Sequence, residues 1–107
     1  MKYQVFIVTH AEEDLFEIYE YVWLNSSLEQ ARKLIEKLKF QCKKLTNFPN
    51  RGHTVPELER IGVYEFREIY HKPYRIIYQV IEKNVYVHGI LDSRRDLEEI
   101  LRKRLLR

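Results

Sequence analysis

Tyr74-Arg75-Ile76-Ile77-Tyr78-Gln79-Val80 and Val85-Tyr86-Val87 are two runs rich in β-branched and aromatic residues, the types that fill a pleated, half-buried surface. A short interval holding Lys83-Asn84 separates them, so they read as strands joined by a tight turn. The second run leads into Ser93-Arg94-Arg95-Asp96-Leu97, which delivers an arginine pair to the start of a helix. Guanidinium is always charged and binds oxyanions bidentately, so arginines at the ends of a sheet suit phosphate or carboxylate recognition. Upstream, another strand spans about 63–70, and Lys72-Pro73 marks its turn into the strand at 74–82. With the third at 85–91, the three form an antiparallel meander.

The N-terminal part supplies what covers this sheet. Residues 3–8 are β-branched and aromatic and form a first strand. Thr9 with Glu12 is a capping-box pattern, and Glu13 and Asp14 suit the positive end of a helix dipole. Ala11, Leu15, Ile18, Tyr19 and Val22 then recur at amphipathic spacing. Asn25-Ser26-Ser27 breaks this helix, and Ser26 with Glu29 offers a cap for the next. That second helix runs from about Leu28 to Thr46, with Ala31, Leu34, Ile35, Leu38, Cys42 and Leu45 as its apolar stripe and lysines elsewhere. A short serine turn between two long helices makes an antiparallel hairpin, whose apolar side should cover one sheet face.

Asn47 to Gly62 holds two of the three prolines and two of the three glycines and reads as a loop. Ser93 with Asp96 is another capping pattern, opening a last helix with Leu97, Ile100, Leu101 and Leu105 on one side. The order β-α-α-β-β-β-α is an α+β layout in one domain, residues 1–107, with a four-stranded sheet. The pattern leaves open whether the first strand pairs parallel or antiparallel.

Nineteen Lys and Arg against sixteen Asp and Glu give a net charge of +3, which permits nucleic-acid contact and equally an acidic protein partner. No apolar run approaches the ~18 residues of a membrane span. The N-terminus lacks the basic, apolar and small-residue order of a signal peptide, so a cytoplasmic protein is expected. The single cysteine, Cys42, excludes an intramolecular disulfide and lies on an apolar stripe, as a buried core thiol would.

Arg67, Arg75, Arg94 and Arg95 lead the candidate functional residues. Arg67 and Arg75 sit in strands with apolar neighbours, where a charge is costly unless it reaches solvent or a partner. They form either a basic patch on the sheet or arginines paired on its open face, with Glu65 and Glu68 nearby. Tyr64, Tyr70, Tyr74, Tyr78 and Tyr86 crowd the meander. Aromatics on a sheet can stack bases, but Tyr74 and Tyr78 share a face with Ile76 and Val80 and read as core. His88 alternates with Tyr86 and Ile90 and is a general acid–base candidate if that face is open. No Cys/His spacing suggests a metal, no glycine-rich loop suggests a phosphate cradle, and no cofactor is expected. The Arg102, Lys103, Arg104 and Arg107 cluster and the lysines of the second helix read as solvated faces.

The chain resembles toxins of the RelE/ParE superfamily of type II toxin–antitoxin systems over nearly its full length. The resemblance rests on Ala11-Glu12-Glu13-Asp14-Leu15, Ala31, Phe48-Pro49 with Gly52, Pro56-Glu57-Leu58, Arg67-Glu68-Ile69, the Tyr74–Tyr78 run and Ser93-Arg94-Arg95-Asp96-Leu97. It implies a small mixed sheet with the helical hairpin on one face, and a hetero-oligomer with an antitoxin whose acidic, amphipathic C-terminal segment wraps the toxin. RelE-like members cut mRNA on the ribosome, whereas ParE-like members poison DNA gyrase. Three departures weaken the ribonuclease reading: Asp92 stands where many relatives carry histidine, Glu65 and Glu68 flank Arg67 in place of a lysine pair, and no terminal His-Tyr pair occurs. The resemblance therefore favours a gyrase inhibitor with no covalent chemistry of its own, with Arg94, Arg95 and Arg102 as binding residues. If the chain is a ribosome-dependent endoribonuclease instead, Arg67, Arg75 and Tyr78 are the catalytic set. A third reading is a non-toxic paralogue that only binds antitoxin.

Overall fold

The meander expected from the sequence forms the centre of a computed structural model that describes residues 2–106. The strands are β1 Gln4–Ile7, β2 His53–Thr54, β3 Phe66–His71, β4 Tyr74–Ile81 and β5 Asn84–Asp92. The helices are α1 Thr9–Asn25, α2 Leu28–Lys43, α3 Pro56–Glu59 and α4 Leu97–Leu105, with a 3₁₀ turn at Lys44–Thr46. The sheet order is β1-β5-β4-β3-β2. β1 runs parallel to β5, with Val5 opposite Val85, while the other pairs are antiparallel, so the open question about the first strand resolves to a mixed sheet.

The sheet has five strands rather than four, because the expected loop at 47–62 contains β2 and α3. β2 pairs His53 with Glu68 and Thr54 with Arg67, and two residues are too short to show a period. The caps also shift by one or more residues. Val8, with no side-chain hydrogen bond, precedes α1 where Thr9 was expected to cap. Ser27 rather than Ser26 caps α2, accepting from the Gln30 N–H at 3.1 Å. Asp96 rather than Ser93 caps α4, accepting from the Glu99 N–H at 3.2 Å. At α2 and α4 several hydroxyl or carboxylate residues cluster near the start, and the entry angle of the chain selects among them; α1 starts without a side-chain cap.

β5 contains a bulge. Ile77 faces Gly89 but Tyr78 faces Val87, which leaves His88 as an extra residue on β5. The simple alternation of Tyr86, His88 and Ile90 therefore fails: Val87 and Ile90 both pack under the hairpin, while His88 stays on the opposite face against Phe66 and Gln79. Burial lowers the His88 pKa, so this imidazole is held neutral beside Gln79.

Both faces of the sheet carry a core. On one side Leu15, Leu38, Cys42 and Leu45 of the hairpin region pack on Ile69, Tyr74, Ile76, Tyr78 and Val85. On the other, Leu58, Leu97 and Leu101 cover Phe66, Ile77 and Leu91. Tyr74 and Tyr78 are buried as expected, and fully burying such side chains contributes about 1.5–3 kcal/mol each. Burial pushes the Cys42 thiol up to about 12, so it stays protonated and inert.

Candidate functional site

The pleat of β4 decides which candidates can meet. Arg75 lies opposite Tyr70 and points to the α3/α4 side, with Ile77; Tyr78 lies opposite Arg67 and points to the hairpin side. Arg67, Arg75 and Tyr78 are therefore not brought together, and Arg67 and Arg75 do not form one basic patch. An odd spacing of three residues along a strand puts side chains on opposite faces.

On the α3/α4 side, Arg75 sits between two carboxylates. Its two terminal nitrogens donate to Glu57 at 2.8 and 2.7 Å, and its Nε donates to Glu68 at 2.6 Å. Glu68 is fully buried, and its second oxygen accepts from the Tyr70 hydroxyl at 3.1 Å. The His53 Nδ1 lies 3.6 Å from that same oxygen and 2.8 Å from the Thr54 carbonyl. The hydrogen bonds from Arg75 hold the Glu57 carboxyl below the usual carboxylate range, and Glu57 in turn raises the Arg75 pKa. Burial, with the Glu68 charge behind it, raises the Tyr70 phenol. Counted by formal charge, the cluster carries two carboxylates to one guanidinium, which repels rather than collects phosphate.

The hairpin side holds a different arrangement, built around a glycine. Arg67 donates to the Gly52 carbonyl at 2.7 Å, and the Gly52 N–H donates to the Tyr78 hydroxyl at 3.0 Å. A Cβ on Gly52 would stand 2.5 Å from the Glu68 carbonyl oxygen and 2.7 Å from that hydroxyl, so only glycine fits. Burial raises the Tyr78 pKa. Both candidates thus tie the 47–52 loop to the sheet.

At the end of β5, Asp92 binds Arg94 twice, at 2.9 and 2.5 Å, and also accepts the Arg94 N–H at 2.9 Å. These hydrogen bonds lower the Asp92 pKa to about 2. The adjoining groove, about 280 Å³, is lined by Asp14, Glu17, Ile18, Tyr21, Tyr74, Asp92 and Arg94. Asp92 takes up Arg94, and Asp14 is itself paired with Arg104 of α4, so the groove offers no free cation to an anion, contrary to the expected anion-binding end. Arg95 is exposed and makes no ion pair among the described residues. Arg102 pairs with Glu98 at 3.1 Å on the surface of α4, a contact of little energetic consequence.

Sequence reasoning missed the residues that anchor α4. Asp14, almost wholly buried in α1, accepts from two Arg104 nitrogens at 2.7 Å each and from the Ile90 N–H at 2.9 Å. Arg104 also reaches the His88 carbonyl at 3.4 Å. β1 ends at Ile7, opposite Val87, so the edge of β5 beyond has no strand partner, and Asp14 and Arg104 satisfy it instead. The only local signal was an acid near the start of a helix, which has an ordinary explanation in the helix dipole. Among the described residues no three His, Cys, Asp or Glu side chains are placed to hold a metal ion, and every buried side-chain polar atom has a hydrogen-bond partner. No described helix is long and apolar enough to cross a membrane.

A sequence profile described as the ParE toxin of the type II toxin-antitoxin system parDE matches residues 5–97. Among solved structures, the chain is similar to one from the chromosomal ParDE TA system of P. aeruginosa, with 22% identity and a TM-score of 0.72 over 84% of this chain and 95% of that one. It is also similar to a chain of the toxin-antitoxin complex RelBE2 from Mycobacterium tuberculosis, with 16% identity and a TM-score of 0.64 over 86% of this chain and 99% of that one. At these identities the likeness to the solved structures is one of fold. No curated protein sequence matches the chain significantly.

Proposed function

The chain belongs to the ParE toxin family of type II toxin–antitoxin systems, and on that premise we propose that it arrests growth by binding DNA gyrase, as a stoichiometric inhibitor without catalysis of its own. One observation carries the reading: Arg75, the one candidate arginine on the α3/α4 side of the sheet, is enclosed by Glu57 and Glu68. Cleavage of RNA through a cyclising phosphate needs positive charge free to meet the phosphate and a group free to move a proton. Arg75 is already neutralised, Tyr78 is buried as an acceptor for Gly52, and Arg67 holds a carbonyl. Asp92, held ionised to about pH 2, is no proton donor near neutrality.

Neutralisation by a cognate antitoxin belongs to the same proposal. An acidic amphipathic segment suits the lysines of α2 around the exposed Phe40, and would fold as it docks. The partner is a protein, and the toxin acts in the cytoplasm.

The test is pulse-labelling after induction without antitoxin, following DNA and protein synthesis together. DNA synthesis should fall first, and purified chain should inhibit gyrase supercoiling in proportion to its concentration. Early loss of translation with cut mRNA would overturn the reading.

A further inference from the structure

We propose that the free chain forms a two-fold dimer through the outer surface of its helical hairpin, with α1 of each copy lying on α2 of the other. The proposal goes beyond the target and the antitoxin and rests on neither. Its first ground is exposed apolar surface. Of the twelve large hydrophobic side chains exposed among the described residues, six lie on the hairpin: Phe16, Tyr21, Trp23, Leu24, Leu28 and Phe40. Phe16 is 61% and Leu24 77% exposed, and apolar concentration of this kind marks an interaction surface.

The second ground is charge. α1 contains five carboxylates and no Lys or Arg, whereas α2 contains five Lys and Arg and two carboxylates. One helix is therefore acidic and its neighbour basic, yet among the described residues no ion pair joins them. Within the hairpin the charged contacts are His10 with Glu13 and Lys33 with Glu29, each inside one helix. Asp14 pairs with α4. Among the described residues Glu12, Glu17 and Glu20 face solvent in no ion pair, as do Arg32, Lys37, Lys39 and Lys43.

These two facts select the occupant. A partner complementary to the whole hairpin must itself present an acidic and a basic helix side by side, both with exposed apolar residues. A second copy of this chain does so. A two-fold axis running parallel to the helices, between two hairpins stacked face to face, places α1 over the partner's α2 and, by symmetry, the reverse. The helices have 17 and 16 residues, each about 25 Å long, so the pairing runs end to end.

Sedimentation of the purified full chain across a concentration series tests this directly, with the emission of Trp23, the only tryptophan and half-exposed, as a second readout. The wild type should dimerise, more weakly at high salt, with a blue shift of Trp23 on association. Glu13→Lys/Glu17→Lys/Glu20→Lys and Arg32→Glu/Lys39→Glu/Lys43→Glu should each weaken the dimer roughly 100-fold, since like charges then oppose. Mixed together, the two variants should regain a heterodimer, which misfolded chains would not. A wild type monomeric at every concentration overturns the proposal, as does a dimer indifferent to both variants or a mixture that fails to pair. A chain that stays monomeric while Trp23 shifts on addition of an acidic amphipathic peptide would assign the face to a foreign acidic segment, and overturns it equally.

Discussion

Replacing Arg75 with methionine separates an arginine that holds the fold from one reserved for phosphate. The substitution keeps the length of the stem but removes the cation, leaving Glu68 fully buried with only the His53 imidazole 3.6 Å away, and Glu57 without its bidentate partner. Breaking a buried ion pair from one side costs about 3–5 kcal/mol, because an uncompensated charge remains in the interior. For a domain of this size that is a large share of a total near 5–15 kcal/mol and should lower Tm by roughly 10 °C or more. Urea unfolding measures the loss. A triple variant, Arg75→Met/Glu57→Gln/Glu68→Gln, removes the orphaned charges and should regain most of it, since neutral replacements of buried ionic groups are often well tolerated. The triple variant should also still arrest growth. The reasoning is refuted if Arg75→Met changes stability by less than about 1 kcal/mol while abolishing arrest. That result would mean the carboxylates do not depend on the arginine and that its charge meets a substrate instead.

Three further predictions test the supports around this cluster. Gly52→Ala should cost about 2 kcal/mol by overpacking against the Glu68 carbonyl and the Tyr78 hydroxyl, measured by urea unfolding; an unchanged midpoint would mean the loop is not held this close. Asp14→Ala should cost about 3 kcal/mol and speed hydrogen exchange at the Ile90 amide, whereas unaltered exchange there would show that the β5 edge is closed by something else. The Asp92 carboxyl should titrate near 2 by NMR and return to about 3.9 in Arg94→Ala. Because the folded pKa is the lower, any stability from this pair is present above the unfolded pKa and lost as pH falls towards 2. Arg94 is exposed and solvent screens the pair, so the effect on unfolding should be small, and a large acid-dependent loss traced to Asp92 would contradict that screening.

What the sequence made legible was what repeats within a window. The alternation in β3, β4 and β5 and the stripes of α1 and α2 are local and periodic, and each element stands near where its period placed it. β3, however, begins at Phe66 rather than about 63, and α2 ends at Lys43 with the 3₁₀ turn carrying on to Thr46. β2 and α3 are too short to carry a period, and the bulge at His88 is a shift of register that no single strand records. The fates of the arginines depended on contacts between distant segments. Arg75 meets Glu57 from eighteen residues away and Arg104 meets Asp14 from ninety, with nothing between them to announce either pair. Glu68 stood near Arg75 in the sequence reading, but its complete burial came from α3 and β2 folding over it.

The net charge of +3 says little about where a partner would find positive potential, because the sheet and α4 balance most of their own. Arg75, Arg94, Arg102 and Arg104 each face a carboxylate within 3.1 Å, and Arg67 faces a carbonyl. Among the described residues, α2 carries four exposed cations in no ion pair, Arg32, Lys37, Lys39 and Lys43, although Glu29 and Glu36 share a groove with Arg32. An acidic antitoxin segment and the acidic α1 of a second copy would therefore compete for the same lysines. If both proposals hold, antitoxin binding and self-association exclude one another, and the Arg32→Glu/Lys39→Glu/Lys43→Glu variant should lose both together. Retention of tight antitoxin binding by a variant that no longer dimerises would place the antitoxin elsewhere on the surface and leave α2 to self-association alone.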